Sequence, residues 1–595
     1  MIIGMGNAIN IEYLRHSLAH LLAAAVIELY PDTKATIGPA INNGFYYDFE
    51  FSKPISDKEL PKIEKKMREI LKTWTGFSHK EVSSKEAKAF FRNNQYKHEL
   101  VDEIVAKGEK LTFYTCGTFT DLCRGGHVNH PSKDIPPNSF KLTRTAGAYW
   151  RGNEKNKMLT RVYGLAFESK EALDNYEQMK MEAEKRDHKK LGRELDLFTF
   201  SDLVGAGLPL WTPRGTVLRD ILDNFVWELR RSHGYERVDI PHISKKDLYE
   251  KSGHWQKFKE ELFKINTREG HEFVMKPMNC PHHTQIYVRK PWSYRELPQR
   301  YASTTKVYRD EQSGELAGLS RVRCITQDDA HVFCRPRDTK EEMAKIWNII
   351  ETFYGAVGFV LTFRLSLHDP EKMGNYLGTE EVWLKAEKEL RDLVREKKAV
   401  AVESIGEAAF YGPKIDFMAK DSLGREWQVA TIQLDMNMPE RFDLDCTNEK
   451  GVKERIVMIH AAIMGSIERY LSVIIEHFAG AFPLWLSPVQ VKVIPVADTH
   501  EKEATKVHEA LVEAGIRSEL ALGDEGFGKK VRSAKIEKIP YFIVIGDKDI
   551  EAQKVTLESR DKGNLGQLAI SEVIKKLKEE MAVVIDNFRT TAGKI

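Results

Sequence analysis

Arg309 and Glu311 stand two apart in the run VYRDE. If that run is a strand, both side chains point to one face. An arginine beside a carboxylate can hold a nucleotide. The guanidinium grips a phosphate bidentately, and the carboxylate accepts from an adenine amine. Alone, an RxE reads better as a surface ion pair on an edge strand. The run that follows, SRVRCITQDDAHVF, shifts that balance. It sets Arg321 and Arg323, then Gln327, Asp329 and His331, at alternating positions. Charged residues repeated along one face of an otherwise apolar strand seldom serve a core. A second constellation lies near the start. RHSLAHLL puts His16 and His20 on one face of a helix, and DLCRGGH sets Cys123 and His127 four apart after Asp121. Three histidines and a cysteine make a donor set for a tetrahedral metal, although an HxxxH carries little weight alone among 19 histidines.

These residues need elements to position them. Residues 8 to about 165 mix a helix, His16–Tyr30, with short strands such as Gly44–Phe51. A run rich in Glu, Lys and Met from about Lys170 to Lys190 reads as a solvated linker helix. From Arg193 to about Pro483, strands are expected at Ala409–Met418 and Glu426–Leu434, with a helix at Gly465–Phe478 near the end. The remainder alternates β and α. VQVKVIPV, PYFIVIGD and KVTLESR read as strands, Thr499–Ala514 and Ile570–Met581 as helices. That alternation predicts a small α/β domain with a mostly parallel sheet.

Composition narrows the class. At roughly 100–200 residues per domain, a chain of 595 residues holds several domains. The net charge is only +2, so any basic surface for nucleic acid must be local. Six cysteines without CxxC spacing argue against a disulfide scaffold. The start, MIIGMGNAIN, lacks the charged region of a signal peptide, and no stretch is long and apolar enough to span a membrane. A cytoplasmic location is the expectation.

Three runs, in order, resemble the signature motifs of class II aminoacyl-tRNA synthetases: TVLRDILDNFVWELRRSHGYERVDIP, ending at Pro241; VYRDE; and AAIMGSIERYL with Arg469. MKPMNCPHH, FYGPKIDF, WQVATIQLD and IHAAIMGSIER are similar to the threonyl-tRNA synthetases in particular, and the likeness covers essentially the whole chain. It implies a multidomain α/β and α+β protein. Residues 8–165 would form an α+β editing domain, 166–192 a linker helix, 193–486 a class II catalytic domain on an antiparallel sheet, and 487–595 an α/β anticodon-binding domain.

The resemblance assigns roles. Zinc would be held by Cys280, His331 and His460, leaving an open position for the amino group and hydroxyl of threonine. Asp329 would receive that hydroxyl, with Gln327, Tyr411, Thr431 and Gln433 around it. Arg309 would hold the α-phosphate of ATP, Glu311 the adenine amine, Arg321 and Arg469 the outer phosphates, with Gln428 nearby and Mg²⁺ bridging phosphate oxygens. His16, His20, Cys123 and His127, with Lys97 and Asp121, would hydrolyse seryl-tRNA without a required metal. The same pattern binds zinc in alanyl-type editing domains, so a metal there stays open. Glu551 and Arg560 would read anticodon bases. Partners would be tRNA(Thr), ATP, L-threonine and a second copy of the chain, paired through the first motif.

Five departures stand out. Ile325 occupies a usual Phe position that stacks on adenine; His282 stands for Gly, Ala317 for His, Ala461 for Arg, and CRGGH for CRGPH. Only 15 residues precede His16, which leaves no room for the small TGS domain usual there. The alternative reading is a class II paralogue that binds tRNA or an amino acid and regulates. A hydrolase that only edits would not need a complete ATP site.

Overall fold

The computed structural model describes residues 10–523 and 525–592. The expected domain edges at 8 and 595 lie outside them. Two compact units divide at Met181 and Glu182.

In the first unit, helix α1 (Ile11–Leu29) starts where the Asn10 side chain accepts from the backbone N–H of Glu12 and Tyr13. Leu14, Leu18, Leu21, Leu22 and Val26 recur at helical spacing and are buried. They pack on an antiparallel sheet whose main strands are β1 (Gly44–Glu50), β3 (Phe140–Tyr149) and β4 (Met158–Ala166), with β4 in the middle. Helix α2 (Gln95–Ala106) and strand β2 (Phe119–Leu122) complete the frame around Lys97 and Asp121. The charged run expected to be one helix is two. Helix α3 (Lys170–Lys185) is mostly exposed, but α4 (His188–Glu194), which belongs to the second unit, buries His188 and Leu191. Asp187 caps α4 by accepting from Lys189 N–H, which restarts the helix after a break.

The second unit is built on an eight-stranded sheet. Its strands are β5 (Glu236–Arg237), β6 (Gln299–Tyr308), β7 (Cys324–Cys334), β8 (Leu361–Leu367), β9 (Ala401–Ile405), β10 (Lys414–Lys420), β11 (Glu426–Asp435) and β12 (Val457–Ala462). Their spatial order is β5-β6-β7-β12-β11-β10-β8-β9, antiparallel except for the two outermost pairs. Helices α5 (Pro213–Ser232), α7 (Thr339–Val357) and α8 (Ile467–His477) pack with the sheet into one large core, and α6 (Cys280–Tyr287) belongs to a smaller cluster beside it.

Several boundaries move. The strand expected from Ala409 starts only at Lys414, because Ala409–Gly412 is a tight bridge-bearing turn. Arg309 and Glu311 lie beyond the end of β6, and Arg321 and Arg323 lie before β7. The shared-face argument therefore holds for Gln327, Asp329 and His331 but not for the arginines.

The last part of the unit has a five-stranded sheet. Its elements are β13 (Val491–Pro495), α9 (Glu501–Glu513), β14 (Ser518–Leu520), α10 (Phe527–Ile536), β15 (Tyr541–Ile545), α11 (Asp547–Ala552), β16 (Val555–Ser559), β17 (Gly563–Leu568) and α12 (Ile570–Ala592). The expected mostly parallel sheet is mixed: β14-β13-β15 are parallel, and β16 and β17 add antiparallel edges. The final helix runs past its expected end. No described helix is long and apolar enough to cross a membrane.

Candidate active site

Strand β7 explains the geometry of the second unit. Its side chains alternate between two faces. Thr326 and Asp328 face α5, where Arg219 donates to Thr326 Oγ1 (3.2 Å) and buried Arg230 lies 3.6 Å from Asp328. Asp328 also accepts from the N–H groups of Ile463 and Met464, fixing the turn before α8. Burial pushes its carboxyl up to about 6 despite Arg230. Gln327, Asp329 and His331 face the other way.

That opposite face carries a cleft of about 590 Å³, lined by Arg309, Glu311, Arg321, Ile325, Gln327 and Arg469 among others. Arg309 and Arg469 have no carboxylate partner among the described residues. Arg309 Nε is buried without a hydrogen-bond acceptor, its guanidinium 5.6 Å from the Phe258 ring centre. Arg469 lies 5.9 Å from the Trp427 ring centre. Arg309 is half-buried with its Nε unpartnered, which is costly, and Arg469 adds a second unpaired cation at the rim, so this cleft is electrostatically prepared for an anion. Glu311 is held by Arg321 Nε at 2.9 Å, and Arg323 Nε donates to the Glu311 carbonyl.

Beyond Gln327 the pocket changes character. Cys280 at the start of α6, His331 on β7 and His460 on β12 bring their ligand atoms within 4.8 Å of one another, all three buried. His331 and His460 are direct neighbours across the sheet, so their rings meet at 3.2 Å between Nε2 and Nδ1. Two ligand nitrogens on one tetrahedral ion with bonds of about 2.0–2.1 Å stand about 3.3 Å apart. His460 Nε2 sits 2.9 Å from Asp435 Oδ2, which fixes that proton and leaves Nδ1 as a lone pair. One thiol and two imidazoles suit a borderline-soft ion, and the residues present fit a metal. Burial drives the Cys280 thiol well up and the His331 imidazole well down, so neither charges unaided.

Asn279 donates to Asp329 (3.1 Å) and, at 3.5 Å, to Gln327. Burial pushes the Asp329 carboxyl up. Tyr411 is buried with its ring 5.1 Å from that of His460, and Gln433 donates to the Gly412 carbonyl. Gln428 and Thr431 gather instead on buried Asp416, donating to it at 2.6 and 2.8 Å. Sequence reasoning missed Asn279, Asp416 and Asp435. It also missed His283, whose Nδ1 lies 2.8 Å from His331 Nδ1, and His254, whose Nε2 lies 3.7 Å from Cys280 Sγ. Asn279 and His283 were already inside the motif MKPMNCPHH, but nothing in spacing distinguishes them from core residues. Ala461 faces the apolar core rather than the cleft. His282 is buried with neither ring nitrogen hydrogen-bonded.

The first unit brings its own constellation together. His16, His20, Cys123 and His127 place their ligand atoms within 4.8 Å of one another. His16 Nδ1 lies 3.2 Å from the Gly126 carbonyl, so it carries the proton and Nε2 is left basic, 3.5 Å from Cys123 Sγ. Burial, then its neighbours His20 and His16, drives His127 down to about 2, and burial raises Cys123 to about 11. The cluster is neutral at ordinary pH. Beside it, buried Lys97 and Asp121 form an ion pair, and Tyr47 donates to Asp121 at 2.5 Å. Lys97 and Asp121 also line a cleft of about 480 Å³. Gly125 and Gly126 have φ of +95° and +83°. Proline is fixed near −65°, so this backbone cannot take one at 126.

In the last sheet, Glu551 is exposed on α11. Arg560 is largely occupied: it pairs with Asp561 and donates to the carbonyls of Phe482 and Lys538.

Comparison with known proteins agrees with this layout. Residues 263–478 match the tRNA synthetase class II core domain (G, H, P, S and T), 490–580 an anticodon binding domain, and 111–163 the threonyl and alanyl tRNA synthetase second additional domain. The threonine–tRNA ligase of Cytophaga hutchinsonii is 46% identical over 577 residues, covering 95% of this chain and 88% of that one. That of Deinococcus radiodurans is 47% identical over 554 residues, covering 92% and 85%. Among solved structures, the RNA binding domain of threonyl-tRNA synthetase from Cryptosporidium parvum Iowa II is similar at a TM-score of 0.63 and 36% identity, over 66% of this chain and 98% of that one. The putative threonyl-tRNA synthetase ThrRS-1 of Aeropyrum pernix is similar at 0.60 and 28%, over 69% and 97%. With identity of this level along nearly its whole length and all three domain types in order, the chain belongs to the threonine–tRNA ligase family.

Proposed function

We propose that the second unit activates L-threonine with ATP and passes it to tRNA(Thr). The observation that carries this reading is the pair of cations without carboxylate partners, Arg309 and Arg469, in a cleft that runs on to a buried thiol–imidazole cluster. Arg309 pairs with the α-phosphate, Glu311 accepts from the adenine amine, and Ile325 packs on the base. Arg321 and Arg469 hold the outer phosphates, with Mg²⁺ arriving on the nucleotide. The threonine carboxylate attacks the α-phosphorus and pyrophosphate leaves. The protein contributes position and positive charge rather than a nucleophile. The ribose hydroxyl of the terminal tRNA adenosine then takes the threonyl group.

Cys280, His331 and His460 hold zinc in this reading. Bound there, zinc would supply a Lewis-acid centre for the amino group and hydroxyl of threonine. Asp329, oriented by Asn279, accepts the hydroxyl proton, with Gln327, Tyr411 and Gln433 closing the pocket. Thr431 and Gln428 act through Asp416. Valine has the shape of threonine without the hydroxyl, and a site built to bind that hydroxyl leaves polar groups unpaired when valine enters.

The first unit clears seryl-tRNA. Serine differs from threonine by one methyl, which is worth only about 10–200-fold in a binding pocket. His16, whose Nε2 is left basic, accepts a proton from attacking water, with neutral His20 and His127 packed beside it, while Lys97 and Asp121 orient the substrate. Glu551 and the remaining N–H of Arg560 read the anticodon. The chain works in the cytoplasm as a homodimer paired through α5. Threonine-dependent ATP–pyrophosphate exchange tests the reading: Arg309→Ala and Arg469→Ala should each abolish it in folded protein. Exchange at the unsubstituted rate in either would overturn the assignment.

A further inference from the structure

We infer that His188, on α4 outside every signature motif, is a positioning residue for the ATP cleft. Its imidazole acts as a strut between the hairpin carrying Glu311 and Arg321 and the helix carrying Arg469. The inference rests on the reading of those two arginines as phosphate-holding groups.

His188 is buried, and both ring nitrogens are engaged on different elements. Nδ1 lies 2.7 Å from Glu476 Oε1, and the His188 backbone N–H donates to the same oxygen at 3.1 Å. Glu476 stands on α8 two helical turns beyond Arg469. Burial pushes the Glu476 carboxyl up, but donors from His188 and Arg425 outweigh it and hold the group below its usual range. The carboxylate is therefore anionic and accepts, so the imidazole proton sits on Nδ1. That leaves Nε2 as a lone pair. It faces the backbone N–H of Leu319 at 3.0 Å and accepts from it.

Leu319 is the tip of the hairpin between Arg309 and Arg323. Ala317 N–H donates to the Arg321 carbonyl and Arg309 N–H to the Arg323 carbonyl, on either side of the tip's base. Leu319 is fully buried. Gly318 has φ +55°, and a Cβ there would stand 2.3 Å from His188 Nε2. The tip is thus pressed against the imidazole. Pinning it fixes Arg321, which in turn holds Glu311. One side chain spans from this hairpin to the helix that carries Arg469, and both elements line the cleft. A surface linker helix would need no buried histidine with two opposed partners. A strut that sets the gap between two phosphate-holding arginines would.

The two nitrogens can be separated. Asparagine approximates Nδ1 and keeps the donor toward Glu476, but presents nothing to Leu319. Glutamine reaches as far as Nε2 and can accept from Leu319 N–H, while the backbone N–H still holds Glu476. In ATP–pyrophosphate exchange, His188→Asn should raise the KM for ATP roughly five- to tenfold, the scale of one net hydrogen bond. The KM for threonine should stay within about twofold, and His188→Gln should restore most of the ATP effect. Clearing of seryl-tRNA should match the unsubstituted protein in both variants. Unchanged ATP KM in folded His188→Asn, or ATP and threonine KM rising together, would overturn the strut. Arg321→Ala and Arg469→Ala run alongside: if they leave exchange intact, the phosphate reading itself fails, whereas if they impair it and His188→Asn does not, only the strut fails. Amide hydrogen exchange at Leu319 in the unsubstituted protein decides the matter should neither variant fold. Slow exchange supports the strut, and exchange at the rate of an open loop rejects it.

Discussion

Cys280, His331 and His460 come from three separate elements, and only the thiol and two imidazole nitrogens matter for what they hold. On the proposed zinc reading, Cys280→Ala removes one of three ligands, and the expected outcome is joint loss of bound zinc and of threonine activation, read by metal analysis and exchange. Full activation by a zinc-free protein would sink the assignment. Ile325 lines the cleft proposed for ATP, at the position where an aromatic ring would stack on the base. Aromatic stacking adds about 0.5–1.5 kcal/mol beyond area burial, so Ile325→Phe should lower the KM for ATP a few-fold. A higher KM would mean that the pocket has packed around isoleucine. In the first unit, replacing His16 and His20 together by alanine should leave threonine charging nearly unchanged while preformed Ser-tRNA(Thr) persists. Clearance as fast as in the unsubstituted protein would remove this cluster from the reaction.

Helix α5 packs on the face of β7 opposite the cleft, through Arg219 and Arg230. Arg230 and Asp328 form a pair that is almost wholly unexposed. Removing one partner of a buried ion pair typically costs about 3–5 kcal/mol, because the other charge is left without compensation. Arg230→Ala should therefore lower the stability of the second unit by that order in urea unfolding. Adding Asp328→Ala should recover part of it, although Ile463 and Met464 then lose their acceptor. Equal loss in the single and double variants would show that Arg230 acts by packing alone. The same face explains why Ala461 changes little at the site: its side chain joins the core, and Arg230 reaches only its carbonyl.

At the scale of whole units, burial sets the response to acid. His16, His20 and His127 all have imidazoles lowered by desolvation, His127 to about 2. Folded, they stay neutral; unfolded, they bind protons near their ordinary value of about 6.5. The stability from a depressed pKa is present above the unfolded value and is lost as pH falls toward the folded one. The first unit should thus melt at progressively lower temperature as pH drops from about 7 to 5, before any carboxylate titrates. The His16→Ala, His20→Ala double variant should flatten that slope. An unchanged slope would show that these histidines are solvated in solution.

Much of this was legible in the residues. The order of the motifs assigned the family, because each carries chemistry that tolerates few residue types. The helix at His16 and the strands around Gln327 and Gln433 followed from period alone. The candidate nucleotide-holding pair Arg309 and Glu311 could be read from spacing, whereas Cys280, His331 and His460 were picked out as ligands only through resemblance. Nothing in the spacing of Cys280, His331 and His460 joins them: their meeting depends on β7 and β12 pairing in the register that sets His331 opposite His460. Strand register is a long-range property, since it is decided by which distant segments bury which faces. The same holds for the boundaries that moved. Arg309 and Glu311 look like strand residues locally, yet the sheet ends at Tyr308 and the loop turns back on His188. His188 itself sat in a run whose composition reads as solvated linker. Its burial is a consequence of where α8 and the Leu319 hairpin come to rest, and only the tertiary structure decides that.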